Sequence, residues 1–247
     1  MNFPAAYDLK EYYLTPQGNA VAAMLMRRIR AWWPTAEIKG EIMFGAGYTL
    51  PYLNAINGPR KTFAVLSGQM GAVVWPVGGP QRCVLAERGH WPIPAASVDY
   101  IVMVHDLEYA EDPAAALEEA WRVLRPEGKL MLVVPNRTGL WARAEKTPFG
   151  HGRPFTHTQL HTLLRDGNFA LERMTGALLA PPIQHRMWAE KVAPVLEYLA
   201  PFCSALCGVT VAEASKRLYA PIKGKPKPIA KTAPVWAGES VPAPHGP

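Results

Sequence analysis

Long apolar runs are missing from this chain. No stretch reaches the roughly 18 consecutive apolar residues of a membrane-spanning helix. Residues 1–13 carry Asp8, Lys10 and Glu11 where a secretory leader would be apolar. Cysteine is scarce as well. The 247 residues hold three, Cys83, Cys203 and Cys207, too few and too scattered for a disulfide framework. Cys203 and Cys207 sit four apart without the histidines or further cysteines of a zinc site, so buried thiols are expected and no metal. A cytoplasmic protein is the expectation. Acidic residues are thin at the C-terminus, where Glu239 alone opposes Lys223, Lys225, Lys227 and Lys231 within 221–247. Four lysines less one glutamate give +3 of the chain's net +6. This Pro-rich tail has too few core-forming residues to offset its ordering entropy and is expected to be disordered. The remainder is mildly basic, with only Arg27, Arg28 and Arg30 close together, so a nucleic-acid partner is not favoured.

What is present is an alternation of strand and helix. Residues 100–104 are a short continuous apolar run, as for a strand buried on both faces of a parallel sheet. Asp112 can cap a helix beginning at Pro113, with Leu117, Trp121 and Leu124 at helical spacing. Arg125-Pro126-Glu127-Gly128 has the residue order of a tight turn, and 130–134 read as a second buried strand. Strand, helix and strand make one right-handed crossover of a doubly wound sheet. Further strands are expected at 41–44, 62–66, 82–85, 169–174 and 209–214. Helices are expected from Thr15-Pro16 to Pro34, over 50–56, from the Thr156/Gln159 capping box to Arg165, and over 184–202 with a break near Pro194. The fold class is α/β, a three-layer sandwich with a seven-stranded, mostly parallel sheet. Its expected parts are an N-terminal helical cover at 1–36, a domain at 37–220 and the tail.

The order strand, Gly-x-Gly turn, helix, strand, acidic loop, strand, Asp-Pro helix, Arg-Pro-x-Gly turn, strand resembles the class I S-adenosylmethionine-dependent methyltransferases. It is most similar to their type 11 branch, whose sheet is Rossmann-like. More narrowly, it looks like a bacterial subgroup marked by two segments. One is the Gly-x-Gly-Tyr-x-x-Pro-Tyr-Leu loop at 45–53, and the other is the Pro-Asn-Arg-x-Gly-Leu-Trp-Ala-Arg run within 135–154. The resemblance implies S-adenosylmethionine as cofactor, held by Gly45, Ala46, Gly47 and Tyr48. Glu87 would face the adenine amino group, with His90 lining the same pocket. The chain departs from the family pattern at three places. Thr49 stands at the third glycine, Met43 at the acid that closes the first strand, and Val65 at the acid that accepts the ribose hydroxyls. Each lost charge-assisted hydrogen bond is worth roughly 1.5–3 kcal/mol, so binding is expected to be weakened.

Two functional readings follow. In the first, the chain is a methyltransferase of unknown acceptor, expected to be a small molecule. In the second, it is an inactive methyltransferase fold that binds a protein partner or regulates one. Methyl transfer draws much of its catalysis from alignment, so no fixed catalytic set is required. His105, after the fourth strand, is a candidate base, the plain alternative being a histidine that hydrogen-bonds the next loop. His151 and Arg153 lie in Phe149-Gly150-His151-Gly152-Arg153-Pro154, where Arg153 could clamp an anionic acceptor. The plain alternative there is a surface turn. Glu108 and Tyr109 are expected to be solvated and Trp91 to be core. Tyr12 and Tyr13 are expected as packing aromatics ahead of the first helix. His157 and His161, one turn apart, are expected as exposed helix residues without a metal. The stripe Met187, Trp188, Val192, Val195, Leu196 and Leu199 is expected to cover the sheet in preference to lying on a membrane.

Overall fold

The computed structural model describes residues 4–34, 42–53, 56 and 61–217. The Pro/Lys-rich tail and part of the link into the first strand lie outside these residues. Seven strands form one sheet in the order β3-β2-β1-β4-β5-β7-β6. They are β1 (Ile42–Gly47), β2 (Lys61–Ser67), β3 (Cys83–Ala86), β4 (Val98–Val104), β5 (Leu124–Pro135), β6 (Phe169–Ala177) and β7 (Val209–Lys216). The pairings β3/β2, β2/β1, β1/β4 and β4/β5 are parallel, while β7 runs antiparallel to both β5 and β6. Chain direction along the sheet reverses between β1 and β4, so the crevice above their C-terminal ends is where this architecture places ligands.

Alternation along the central strands builds two cores. Met43, Val102, Val104, Met131 and Val133 point to one face, and Phe44, Ala46, Ile101, Met103, Leu130, Leu132 and Val134 point to the other. Helices α1 (Ala6–Leu14), α2 (Pro16–Trp32) and α3 (Leu50–Leu53) cover the first face. Helices α4 (Pro113–Val123) and α5 (His157–Asp166) cover the second. A strand buried on both faces can carry no polar alternation, which is why β4 and β5 read as continuous apolar runs.

Local chemistry sets the element ends. Thr15 accepts the Gly18 amide and Pro16 opens α2, while Asp112 accepts the amides of Ala114 and Ala115 ahead of Pro113. The capping box at α5 forms in full, Thr156 accepting from the Gln159 amide and the Gln159 side chain from the Thr156 amide. Helix α4 stops one residue before Leu124, which begins β5 instead of extending the helical stripe. The Arg125–Gly128 turn becomes a bulge within β5, displacing the register from Val98↔Leu124 to Tyr100↔Lys129. Glu127 takes the left-handed conformation at its third position, at φ +61°.

One expectation is extended and one corrected. Tyr12 and Tyr13 lie ahead of the helix at Pro16–Trp32, but within a further helix, α1, a short amphipathic element whose Leu9 and Tyr13 are buried. The segment expected as one broken helix over 184–202 is a π turn (Trp188–Val192), the single turn α6 (Ala193–Leu196) and a 3-10 stretch (Glu197–Leu206). Its stripe does not simply cover the sheet, because Met187, Val192, Val195 and Leu199 face outward. Pro194 and Pro201 each remove a backbone donor, and the ladder changes pitch around them.

Replacing Asp112 with Ala removes the one oxygen that accepts both capping hydrogen bonds of α4. A loss of about 1 kcal/mol is expected, read as a lower urea midpoint with unchanged m-value.

Candidate active site

At the C-terminal edge of the sheet, β1 and β4 turn sharply side by side. Gly47 adopts φ +72°, and a Cβ there would stand 2.5 Å from the Val104 carbonyl oxygen and 2.7 Å from the Asp106 Cβ. His105 on the facing turn is itself left-handed, at φ +54°. A Cβ on Gly45 would fall 2.0 Å from the Thr49 hydroxyl, so Thr49, standing at the family's third glycine, fills the space that Gly45 leaves. The whole loop from Gly45 through Ala46 and Gly47 to Tyr48 and Thr49 is buried.

What covers it is a polar aromatic cluster. The Tyr13 hydroxyl from α1 lies 2.8 Å from His105 Nε2 and 2.7 Å from the Tyr52 hydroxyl. Tyr48 stacks on Tyr13 at 5.7 Å between centroids, and Phe149 packs on the His105 ring at 4.7 Å. The other His105 nitrogen, Nδ1, is 3.4 Å from Glu108 Oε1, within ion-pair reach but long for a hydrogen bond. That contact favours a proton on Nδ1, which leaves Nε2 to accept from Tyr13. His105, Tyr52, Glu108 and Tyr109 are all shut from solvent, which corrects the expectation that Glu108 and Tyr109 are solvated. Burial pushes the Tyr13 and Tyr52 hydroxyls well above the usual phenol range, and Tyr48 up to about 12.

Beside this cluster an open cleft of about 530 Å³ is bounded by Ser67 to Gln69 after β2, by Glu87 to Gly89 after β3, and by Glu111 to Ala116 at the head of α4. Ser67 Oγ is buried there without a hydrogen-bond partner. Arg88 Nε donates to Asp106 Oδ1 at 3.0 Å and its Nη1 to the Tyr109 carbonyl at 3.3 Å, tying the β3 loop to the β4 loop. Burial raises the Asp106 carboxyl and the Arg88 guanidinium partly offsets it.

The residues singled out in the sequence are therefore divided between places. Glu87 stands exposed on the cleft wall, and His90 is exposed and joined to it by an isolated bridge. Gly45, Ala46, Gly47 and Tyr48 lie under the tyrosines, and Val65 sits in the apolar core. His105 is the hub of the buried cluster. His151 is exposed and reaches the Glu145 carbonyl at 2.7 Å, while the Arg153 amide donates to the Glu108 carbonyl at 2.7 Å. Gly152, at φ +76°, allows that approach, since a Cβ would meet the Glu108 carbonyl oxygen at 2.7 Å. The glycines around His151 thus serve a backbone-to-backbone contact. Within the other marked segment, the Asn136 amide donates to the carbonyls of Ser204, Ala205 and Cys207, and Trp141 Nε1 donates to Ala180. Those residues pin the turn ahead of β7. Trp91 is core, and no cluster of three potential metal ligands occurs among the described residues. Cys207 is buried and Cys203 half-buried, both free.

Ser67 and Arg88 were missed as site candidates by sequence reasoning. Ser67 was legible in principle: it stands two residues beyond Val65, on the same face of the strand.

Sheet order, reversal point and edge cleft define a class I methyltransferase fold. Residues 42–132 match the family model described as a methyltransferase domain. A Mycobacterium tuberculosis protein described as a probable S-adenosylmethionine-dependent methyltransferase is 35% identical over 101 residues, 40% of this chain and 36% of that protein. A Mycolicibacterium smegmatis relative of the same description is 34% identical over 87 residues, 34% of each chain. The matched stretch thus spans about a third of these relatives' length. Among solved structures, a Thermotoga maritima S-adenosylmethionine-dependent methyltransferase superposes with TM-score 0.57 at 16% identity, covering 85% of this chain and 96% of that one. The Haloferax volcanii complex between the Trm112 methyltransferase activator and its candidate methyltransferase gives 0.56 at 17% identity, covering 82% and 97%. The [4+2]-cyclase SpnF gives 0.53 at 14% identity, covering 89% and 98%. Residues 42–132 are thus similar to the S-adenosylmethionine-dependent methyltransferases in sequence, and the chain shares their fold. No helix of the described residues is long and apolar enough to cross a membrane.

The tyrosine cluster carries a pH signature. Below about pH 10 these hydroxyls are protonated in both states; above it the unfolded chain loses protons that the fold retains, so stability falls as pH rises. Each retained proton adds a slope of about 1.4 kcal/mol per pH unit. Urea unfolding at stepped alkaline pH should show this fall, and Tyr13→Phe should make it shallower by one such increment.

Proposed function

We propose that the chain transfers a methyl group from S-adenosylmethionine to a small-molecule acceptor at the edge cleft. The observation that carries this reading is the buried, unpartnered Ser67 Oγ in a cleft bounded by the β2, β3 and β4 loops. That hydroxyl can take a ribose hydroxyl in place of the acid that Val65 replaces, and Glu87 on the same wall can accept from an adenine amino group. The donor set fits a nucleoside. The bound cofactor would supply an electrophilic methyl group. Its amino-acid end would belong over Gly45 to Gly47, where Tyr13 now packs, so α1 must yield to admit it. One backbone hydrogen bond, from the Ala6 amide to the Met70 carbonyl, ties the start of α1 to the loop after β2.

In this reading the buried cluster handles the acceptor's proton. With α1 lifted, Tyr13 leaves His105, whose Nε2 would take the acceptor's proton while Glu108 beside Nδ1 steadies the imidazolium. Glu108 acts through His105 and is a positioning residue. His151, exposed on the Glu145 carbonyl, and Arg153, exposed beside the Glu108 and Glu111 carbonyls, would meet the acceptor.

A second reading is favoured by one specific observation. With Met43 and Val65 in the core and the glycine loop sealed, the fold could bind a partner without catalysis. SpnF, a cyclase by description, shows that this fold alone does not fix a reaction.

Calorimetric titration separates the two. Micromolar heat with S-adenosylmethionine and S-adenosylhomocysteine is expected, and Ser67→Ala should weaken it by roughly tenfold for one lost hydrogen bond. No heat at millimolar ligand would sink the methyltransferase reading. Gly47→Arg would be a poor control, since the left-handed turn packed against Val104 should unfold with it; Glu87→Ala leaves the core intact.

A further inference from the structure

The outward face of 188–206 is more apolar than a free surface requires. Val192, Val195, Leu199, Phe202 and Leu206 recur at steps of three, four, three and four residues, and Tyr198 lies beside them. All six are exposed, Phe202 at 86%, Tyr198 at 68% and Val195 at 65%. The face is not a frayed end. Asn136 holds the carbonyls of Ser204, Ala205 and Cys207, and Glu197 accepts the Leu179 amide from its buried side. The chain is held rigidly with its apolar side chains outward, as at an interaction site.

The charges around the face choose among occupants. Both acids on the segment are already paired, Glu190 with Arg186 at 2.9 Å and Glu197, buried, with Arg28 at 3.7 Å. Lys191 is exposed, and the Arg27 guanidinium lies over the Tyr198 ring at 4.6 Å. Arg27 and Arg186 also line one groove, about 610 Å³, between α2 and residues 186–194, with Ala20, Met24 and Ala189 along its wall. A three-four spacing would suit a partner helix, but knobs-into-holes packing needs a regular helix. Here the backbone passes through π, α and 3-10 pitch, with Cys203 out of helical conformation. A lipid surface demands apolar area and compensating charge and imposes no register.

We propose that this face docks on a bilayer bearing anionic lipids, with Phe202, Leu199 and Val195 entering the interfacial region and Arg27, Arg186 and Lys191 meeting headgroups. Tyr198, apolar ring and polar tip, suits the boundary between the two.

The test is co-sedimentation of the full chain with vesicles of phosphatidylcholine alone and of phosphatidylcholine mixed with phosphatidylglycerol. Binding to the mixed vesicles is expected, with little to the neutral ones. Leu199→Glu/Phe202→Glu, at exposed positions that leave the thermal midpoint unchanged, should weaken it by at least about tenfold. Arg186→Glu/Lys191→Glu should remove the preference for anionic lipid. Wild-type affinity in the Leu199/Phe202 variant would overturn the proposal, because the lysine tail would then carry the binding. Absence of vesicle binding would overturn it too. So would a dimer in sedimentation equilibrium that the same variant abolishes, which would make a second copy the occupant.

Discussion

Everything at the functional edge depends on two strand ends that turn within van der Waals contact of each other. β1 and β4 are hydrogen-bonded neighbours up to the pair Gly47↔Val104. Both chains must then leave the sheet in opposite senses, to α3 on one face and toward α4 on the other. The room for this comes from a residue without a Cβ on one side and a left-handed histidine on the other. The cost of the His105 conformation is met by its surroundings, where Tyr13, Phe149 and Glu108 fix the ring on three sides. The corner thus orders the first helix, the loop after β4 and the Phe149 segment together.

From that corner the division of labour along the chain can be followed. The strand interiors are committed to the two cores by strict alternation, so only residues at strand ends are free for chemistry. Ser67, Glu87 and Asp106 are such residues, each at the C-terminal end of a parallel strand or just beyond it. Arg88 joins two of these loops across the sheet edge. The segment after β5 performs a different task. Asn136, Gly139 and Trp141 pack against the turn before β7, where a Cβ on Gly208 would lie 2.1 Å from the Trp141 ring. Side chains that looked like a signature of chemistry are there the joinery between the parallel and antiparallel halves of the sheet.

The fold was largely legible from the residues themselves. Continuous apolar strands, the Asp112-Pro113 and Thr15-Pro16 caps and the Thr156/Gln159 box each act within a few residues, and the structure realises all of them. The site was legible only in part. The C-terminal ends of the strands were placed up to three residues short in the sequence reading, as at β1, expected to end at Phe44 and found to end at Gly47. An error of that size moves a residue from core to cleft, which is why Ser67 escaped notice. Burial of Glu108 could not be read at all. Its environment is made by Tyr52, fifty-six positions earlier, and by the 148–153 loop, some forty later, and no local pattern encodes those meetings. The apolar stripe near 192–206 failed for a related reason. Helical spacing reports that a face exists, and prolines decided which way it points.

The seal of tyrosines over the glycine loop turns affinity into a matter of populations. A ligand that must enter beneath Tyr13 sees only the fraction of molecules whose first helix has lifted, and its apparent dissociation constant is the intrinsic one divided by that fraction. Were about one molecule in a hundred open, binding would appear about a hundredfold weaker than the pocket itself allows. Association would then be paced by the breathing of α1, whatever the ligand's diffusion. On the methyltransferase reading, the part of the cleft lined by Ser67 and Glu87, open beside the seal, would meet a ligand first and hold it while the helix moves.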